Sequence, residues 1–215
     1  MNVAHLFKIQ SGGGVFICGR YWLSDSLEDI AEKYGVSLLD NQSITGPEIF
    51  PSQAAPVIYN VNTPQISLWK WGFPNPVKSG IIINARGETI DQKRMFKRAF
   101  AGQRCVIPAN AFFEWTKEQK GKQKYRIYFD HGKLFSMAGI WDTFTTDDGN
   151  SQNYFVIITT RATNQLQAIH ERMPVILTAE EEKNWLDHNN SNIEVLKSIL
   201  DSPKFDQKLI TAKEN

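Results

Sequence analysis

The sequence predicts an α+β fold: one strand-rich domain with an antiparallel or mixed sheet and helices interspersed. Its 215 residues suit one large domain or two small ones, and they can bury a sizeable core. Segments of strand composition outnumber the helical ones. Strands and helices do not alternate as they do in a parallel βαβ sheet, which favours the α+β class.

Composition divides the chain into three parts. Residues 1–14 predict a flexible N-terminal extension, because residues 11–14 are a linker-like Ser-Gly-Gly-Gly run. Residues 15–203 predict the folded domain. Residues 204–215 are polar and predict a loosely held tail.

The elements of the predicted domain follow from local patterns. Leu27, Ile30 and Ala31 repeat at helical spacing within residues 24–34, and Gly35 ends that helix. Apolar and β-branched runs bounded by turn residues predict the strands. We expect strands over residues 51–60, 66–71, 81–83, 104–107, 124–129, 134–140, 154–159 and 174–177. We expect further helices over residues 91–100, 163–170, 179–186 and 193–200.

Charge and cysteine content exclude several classes of protein. The net charge is +1, so any nucleic-acid site must come from local charge placement. No apolar run approaches the ~20 residues that span a bilayer, and the N-terminus lacks the apolar core of a secretory signal. Two cysteines make no disulfide framework, which favours a reducing cytoplasm. No cluster has zinc spacing, so we predict neither metal nor cofactor.

Cys18 is the first candidate for chemistry. It is followed by Gly19, which lets a bulky substrate approach the backbone, and by Arg20, whose charge would favour a thiolate. The alternative is that Cys18 is an apolar core residue, as most lone cysteines are.

Glu114 and His170 are candidate proton-transfer groups. Glu114 stands between aromatic residues, where desolvation would raise its pKa toward neutrality; alternatively it faces water from an alternating strand. His170 is either a proton shuttle or a core or capping histidine at a helix end.

Several polar and aromatic residues are candidates for DNA binding. Asn84 and Arg86 follow a predicted strand, where Arg86 could hold a phosphate or simply form a surface ion pair. Arg94 and Arg98, with neighbouring lysines, make one helix basic, which suits a polyanion or a solvated face. Trp71, with Trp69 and Phe73 nearby, could stack on bases or belong to the core.

An ordered set of motifs runs from Cys18 to Leu177. Each motif alone is weak, but the set in this order is highly specific. It resembles the SOS response-associated peptidase (SRAP) family, the abasic-site processing proteins of bacteria and eukaryotes. The motifs are Cys18-Gly19-Arg20, Pro51-Ser52-Gln53, Trp71-Gly72-Phe73, Asn84-Ala85-Arg86-Gly87-Glu88-Thr89, Arg104-Cys105-Val106-Ile107-Pro108-Ala109, Phe112-Phe113-Glu114-Trp115, Ala138-Gly139-Ile140-Trp141 and residues 170–177.

The resemblance implies a barrel-like SRAP domain with peripheral helices and a covalent reaction with DNA. The α-amine of an N-terminal cysteine condenses with the aldehyde of an abasic site, and the thiol closes the imine to a thiazolidine. By similarity, Glu114 assists imine formation and crosslink reversal, His170 assists opening of the sugar ring, and Asn84 orients the reacting groups. Arg20 and Arg86 would hold flanking phosphates, and weak strand cleavage 3′ to the lesion would be a side activity.

One departure from the family concerns the N-terminus. The family's cysteine is residue 2 and becomes N-terminal when the initiator Met is removed, whereas seventeen residues precede Cys18. An amide nitrogen cannot form an imine, so the reaction requires a chain that begins at Cys18. Three interpretations are open: residues 1–17 are removed, translation starts at Ile17, or the chain has lost crosslinking. Glu48, where the family commonly has a neutral Asn, is expected to weaken phosphate binding.

Three functions are therefore compatible with the sequence. The first is an abasic-site crosslinking enzyme that acts on single-stranded DNA. The second is a cysteine peptidase or autopeptidase that uses Cys18 and His170, and the third is a non-catalytic module that binds single-stranded DNA. For all three we expect a cytoplasmic, nucleoid-associated monomer with no membrane partner.

Overall fold

The computed structural model describes residues 18–38, 44, 46–118, 121–201 and 208–214. The predicted extension over residues 1–14 lies outside the described residues. In the described part the helices are α1 Leu27–Tyr34, α2 Arg94–Gly102, α3 Ala179–Leu186 and α4 Ile193–Leu200. The strands are β1 Arg20–Trp22, β2 Glu48–Ile49, β3 Ala54–Asn60, β4 Pro64–Trp71, β5 Phe73–Pro74, β6 Ile81–Ile82, β7 Asn84–Arg86, β8 Arg104–Ala109, β9 Ala111–Glu118, β10 Gly121–Phe129, β11 Phe135–Thr145, β12 Ser151–Arg161, β13 Arg172–Pro174, β14 Ile176–Leu177 and β15 Leu209–Glu214. The α+β prediction, with a single strand-rich domain, is confirmed.

Five strands close into a barrel. They pair in the order β12, β4, β3, β8 and β11, and β11 pairs again with β12. Most of these pairings are antiparallel, but β4 and β7 both run parallel to β12, which makes the sheet mixed. Closure removes the unpaired edges of these five strands and encloses an apolar interior.

A second sheet lies beside the barrel, in the order β15, β10, β9, β1 and β2. Its central strand β9 follows barrel strand β8 after a single residue, Asn110. The buried Asn110 amide accepts from the Ser24 N–H and donates to the Asp25 carboxylate and the Gly132 carbonyl. These bonds fix the bend that carries the chain from the barrel into the second sheet.

The C-terminal segment corrects a prediction made from composition. Leu209–Glu214 is not a loose tail, because it pairs along its whole length with β10, from Leu209 opposite Phe129 to Glu214 opposite Lys124. Its polar side chains alternate outward while Leu209 is buried, so the strand forms an edge of the second sheet despite its polar composition.

The helices pack on the outside of the barrel, as the resemblance implied. The helices predicted over residues 179–186 and 193–200 begin and end as predicted, and α2 begins three residues later than predicted. The helix expected over residues 163–170 is wrong: the segment is a series of turns. The Ala162 N–H donates to the Glu171 carbonyl at 2.9 Å, so the segment must return on itself, whereas an eight-residue helix would separate its ends by ~12 Å.

No helix in the described ranges is both long and apolar enough to cross a membrane.

Candidate active site

Two groups that lie far apart in sequence meet beside the start of β1. The backbone N–H of Cys18 donates to Oε1 of Glu114 at 2.6 Å, and both residues are buried, at 0% and 1% exposure. Strand β1 brings them together, because Arg20 pairs with Phe113 in the antiparallel ladder between β1 and β9. The carboxylate therefore contacts the nitrogen of Cys18.

Glu114 carries a raised pKa. Burial raises the pKa of this carboxyl to about 8, although hydrogen bonds from backbone N–H groups act in the opposite direction. Its second oxygen, Oε2, is buried and has no hydrogen-bond partner within the described part of the chain. The prediction of a desolvated Glu114 is confirmed, and the alternative of a carboxylate that faces water is wrong.

The Cys18 thiol differs from the expectation. Burial, and then the nearby charge of Glu114, raise the pKa of this thiol well above its ordinary value. The prediction that Arg20 favours the thiolate is therefore wrong: burial opposes ionisation and the adjacent acidic group adds to that effect. Cys18 also has a φ of +42°, in the left-handed region that non-glycine residues rarely adopt.

The Arg20 guanidinium contacts two aromatic rings and a carboxylate. It lies over the rings of Phe50 and Trp115, at 4.6 and 5.3 Å from their centroids, and 3.4 Å from the carboxylate of Glu48. Glu48 also pairs with Lys124 at 2.9 Å. The two cations flank one acidic side chain, and Arg20 stays about two-fifths exposed.

Trp71 is fully buried, so the core alternative holds for this residue and its ring offers no face to a base. It packs edge-on against Tyr21 at 5.3 Å between centroids and stacks on Phe155 at 6.4 Å. Its indole N–H donates to the Ile83 carbonyl at 2.9 Å, directly before Asn84. Trp71 thus connects strand β1, which follows Cys18, with strand β7, which carries Asn84.

Asn84, Arg86 and His170 lie around strand β12. Asn84 is half-buried on β7, opposite Ile157, and Arg86 lies opposite Thr159. On the other edge of β12, strand β13 begins two residues after His170.

His170 is held in one orientation. It is buried, and its Nδ1 accepts the Arg172 backbone N–H at 3.0 Å. Nδ1 also lies 3.2 Å from the Arg172 carbonyl oxygen, and the buried Nε2 has no hydrogen-bond partner among the described residues.

A cavity of about 460 Å³ opens at this end of β12. It is lined by Arg86, Arg161, Gln167, Glu171 and Arg172. Arg86 and Arg161 are exposed, whereas the guanidinium of Arg172 makes a two-pronged ion pair with Glu88 at 2.8 and 2.9 Å. The cavity thus offers two exposed guanidinium groups, a suitable arrangement for an oxyanion.

Arg94 and Arg98 lie on α2, which packs against barrel strands β8 and β11. Arg98 forms an ion pair with Asp142 on β11, and its side chain remains three-quarters exposed. The structure therefore places these two arginines on the barrel surface, on a different element from the Cys18–Glu114 contact.

Two residues of the site escaped sequence reasoning. The sequence around Tyr21 predicts only a core residue, and the structure shows that its hydroxyl is buried on β1. Arg161 ends an apolar strand, and only the return of residues 163–170 brings it beside Arg172. The described residues hold no group of three or more His, Cys, Asp or Glu side chains placed to bind a metal ion.

The chain resembles known proteins over most of its length. The model of the SOS response associated peptidase (SRAP) family matches residues 17–213. The abasic site processing protein YoqW of Bacillus subtilis is 35% identical over 193 residues, covering 86% of each chain. The abasic site processing protein HMCES of Xenopus tropicalis is 31% identical over 150 residues, covering 57% of this chain and 45% of that protein. A crystal structure of a Bacteroides thetaiotaomicron protein has a TM-score of 0.78 at 28% identity and covers 92% of both chains.

Proposed function

Because this chain belongs to the SOS response associated peptidase (SRAP) family, we propose that it processes abasic sites in DNA and that a form beginning at Cys18 captures them covalently. The observation that carries the proposal is the contact between the Cys18 nitrogen and Glu114. Relatives that are named abasic site processing proteins support the substrate class.

The first step is imine formation. Removal of residues 1–17 turns the Cys18 amide nitrogen into a primary amine while leaving it beside Glu114. The amine attacks the aldehyde carbon of the opened abasic sugar, and the carbinolamine loses water to give the imine. In the uncut chain burial raises the pKa of Glu114 to about 8, and a carboxyl that keeps its proton near neutral pH is suited to pass it to the departing hydroxyl.

The second step closes the ring. The Cys18 S–H adds across the C=N bond: an S–C bond forms, the C=N π bond breaks, and the thiol proton ends on the ring nitrogen. The product is a thiazolidine that links the chain to DNA. Attack by water through the reverse steps releases the DNA, with Glu114 again carrying the proton.

His170 and Asn84 act on the abasic sugar in this proposal. The Arg172 backbone N–H donates to Nδ1 of His170, which leaves Nε2 to donate a hydrogen bond to the ring oxygen as the sugar opens. Asn84 orients the reacting sugar from β7.

The phosphates on either side of the lesion are proposed to bind Arg86 in the cavity and Arg20 near Glu48. Arg94 and Arg98 extend the basic surface along α2.

A single-stranded substrate fits this site best. The abasic sugar must reach a buried pair of residues, and an unpaired nucleotide leaves the strand at lower cost than a stacked one. Unstacked DNA also exposes the phosphates to separate arginines.

A cysteine peptidase is supported less well. A peptidase nucleophile needs a lowered thiol pKa, whereas burial raises that of Cys18. Among the hydrogen bonds of the described residues, none joins Cys18 to His170.

A gel assay tests the proposal. The full-length chain carries a protease site that leaves Cys18 at the new N-terminus, and it is cut after purification. Cut and uncut protein are incubated with a single-stranded oligonucleotide that contains one abasic site. A band that survives denaturant, made only by cut protein and absent in Cys18→Ala, is expected; no such band from either form would reject crosslinking. Spontaneous shortening of the natural chain at the bond before Cys18 would favour the peptidase.

A further inference from the structure

Strand β10 carries a cation at every second position over part of its length. Lys122, Lys124 and Arg126 alternate along it, and Tyr128 follows at the same spacing. Because residues two apart on a strand lie on one face, the three cations line one face of the second sheet. Successive cations lie ~7 Å apart, since a strand rises about 3.4 Å per residue. The reaction proposed above uses none of the three.

The sheet register places this row on the same face as Arg20. Arg126 lies opposite Phe113 on β9, and Phe113 lies opposite Arg20 on β1. Directly opposed residues of antiparallel strands share a face, so Arg20 and Arg126 lie on one face, two strands or ~10 Å apart. Glu114, the next residue on β9, lies on the other face. The cations therefore extend away from Arg20 on the side opposite to the carboxyl that contacts Cys18.

Aromatic rings hold two of these cations in place. The Arg126 guanidinium lies over the rings of Trp22 and Tyr128, at 4.9 and 5.5 Å from their centroids. The Lys124 ammonium lies 3.8 Å from the centroid of Phe113. Contacts of a cation with a ring face are attractive, and they order side chains that are otherwise free to rotate. A ligand that binds these cations therefore pays less in side-chain entropy.

Two carboxylates on the same face occupy only part of the row. Lys124 pairs with both of them, with Glu48 at 2.9 Å and with Glu214 at 3.2 Å. The ion pairs found among the described residues involve neither Lys122 nor Arg126. Lys122 is exposed and Arg126 is half-buried. These two cations are therefore the ones that a polyanion can neutralise.

We propose that the β10 face, made of Lys122, Lys124 and Arg126 and continuous with Arg20, is a second binding surface for single-stranded DNA. It holds phosphates of the strand that leads away from the abasic site. The surface rests on the proposed function, because it begins at the arginine assigned there to a flanking phosphate. An extended single strand presents its phosphates in a row, which a row of cations can follow. Contacts to phosphates read no base, so binding should be independent of sequence.

Acidic residues mark one end of the β10 face. Beyond Trp22 lies a cavity of about 560 Å³, and its lining includes Asp25 and Glu28. Carboxylates repel phosphates, so we expect the DNA strand not to continue past Trp22. The β10 face thus serves the nucleotides near the lesion and not a long tract of DNA.

Binding of oligonucleotides of two lengths tests the proposal. Both carry one tetrahydrofuran abasic analogue, which cannot form an imine, and they have about 5 and about 15 nucleotides. Lys122→Gln and Arg126→Gln each remove one charge and keep part of the apolar stem, so the melting temperature should stay close to that of the parent. Each protein is measured uncut and cut to begin at Cys18, by fluorescence anisotropy over a salt series.

Each Gln variant should bind the long oligonucleotide about 3-fold to 10-fold more weakly at low salt, and the slope of log affinity against log salt should fall in magnitude by about 0.7. Affinity for the short oligonucleotide should change less than about 2-fold, because it does not reach β10. Arg126→Lys keeps the charge and should recover most of the affinity for the long one. Lys183→Gln, an exposed change on α3 that alters net charge equally, is the control and should bind both lengths as the parent does.

Parental affinity of both Gln variants for the long oligonucleotide would overturn the surface. An equal loss on both lengths would overturn it too, because the cations would then act at the lesion itself. If the variants kept their affinity for DNA and lost affinity for polyglutamate, the β10 face would bind an acidic protein instead. A cut parent that forms no crosslink with abasic DNA rejects the proposed function, whereas a parent that crosslinks while both variants bind normally rejects the surface alone.

Discussion

The backbone N–H of Cys18 lies 2.6 Å from Oε1 of Glu114, across 96 residues of sequence. The contact is made at the nitrogen of Cys18, and the acid that makes it has a pKa near the pH of a cell. In the proposed reaction, a carboxyl in this place assists the steps at the nitrogen before the step at the sulfur. Substitutions of this acid and of the charges around it should therefore affect different steps.

Glu114→Gln should slow crosslink formation by the cut chain about 100-fold or more, because an amide keeps the acceptor oxygen but carries no transferable proton. The measurement is the initial rate of the denaturant-stable band. Glu180→Gln, an exposed change on α3, serves as the control and should react at the parental rate. If Glu114→Gln reacted as fast as this control, Glu114 would have no part in the chemistry.

The uncut chain should lose stability as pH rises. Below about pH 4 both states hold the Glu114 proton. Between the ordinary carboxyl value of 4.5 and about 8 the unfolded chain releases it while the folded chain keeps it, so stability falls with pH. The loss of unfolding free energy that Glu114 causes amounts to at most ~5 kcal/mol, and it is complete above the pKa of the folded state.

Urea denaturation at pH 5, 7 and 9 measures this loss. Glu114→Gln has no proton to keep, so the decline from pH 5 to pH 9 should be smaller in the variant than in the parent. Identical declines in the two proteins would contradict the raised pKa of Glu114.

Arg86→Ala and Arg161→Ala should each weaken binding to single-stranded DNA. Each change removes one exposed guanidinium from the cavity beside β12. The slope of log affinity against log salt should fall in magnitude by about 0.7 for each phosphate that the protein no longer neutralises. Fluorescence anisotropy over a salt series gives the slope, and Lys183→Ala on α3 provides a control that removes a cation from another element. An unchanged slope for both arginines would place the phosphates elsewhere.

Glu48→Gln should strengthen binding to single-stranded DNA by a few-fold, because it frees Arg20 and Lys124 from a shared carboxylate. Glu214→Gln is the matched control: Glu214 pairs with Lys124 at 3.2 Å, whereas the ion pair of Arg20 is with Glu48. If both variants gained equally, Lys124 would be the cation that matters. No gain from Glu48→Gln would contradict a role for Arg20 and Lys124 in binding DNA.

The sequence predicted much of the fold because strongly apolar runs and helix patterns are local. Helices α3 and α4 were predicted residue for residue. The strand Leu209–Glu214 could not be predicted from its own composition, because its stability comes from hydrogen bonds to the distant strand β10. The turns at residues 163–170 were missed for a similar reason, since the bond between Ala162 and Glu171 overrides helical propensity.

The site shows the same division. The desolvation of Glu114 could be predicted from its aromatic neighbours, but its partner could not, because only the pairing of β1 with β9 brings Cys18 to it. The sequence predicts that Arg20 lowers the pKa of the Cys18 thiol, whereas in the structure that pKa is raised. Arg20 is only two residues from Cys18 in sequence, yet its guanidinium contacts Phe50, Trp115 and Glu48, and burial has the largest effect on the thiol pKa.

The left-handed backbone at Cys18 has a thermodynamic consequence for the start of the chain. A φ of +42° costs a non-glycine residue about 1–2 kcal/mol, and the torsion exists only while a peptide bond precedes the residue. An N-terminal residue has no φ. Cutting the chain before Cys18 therefore abolishes this strained degree of freedom, and the release of this strain is one contribution that favours hydrolysis of that bond in the folded protein.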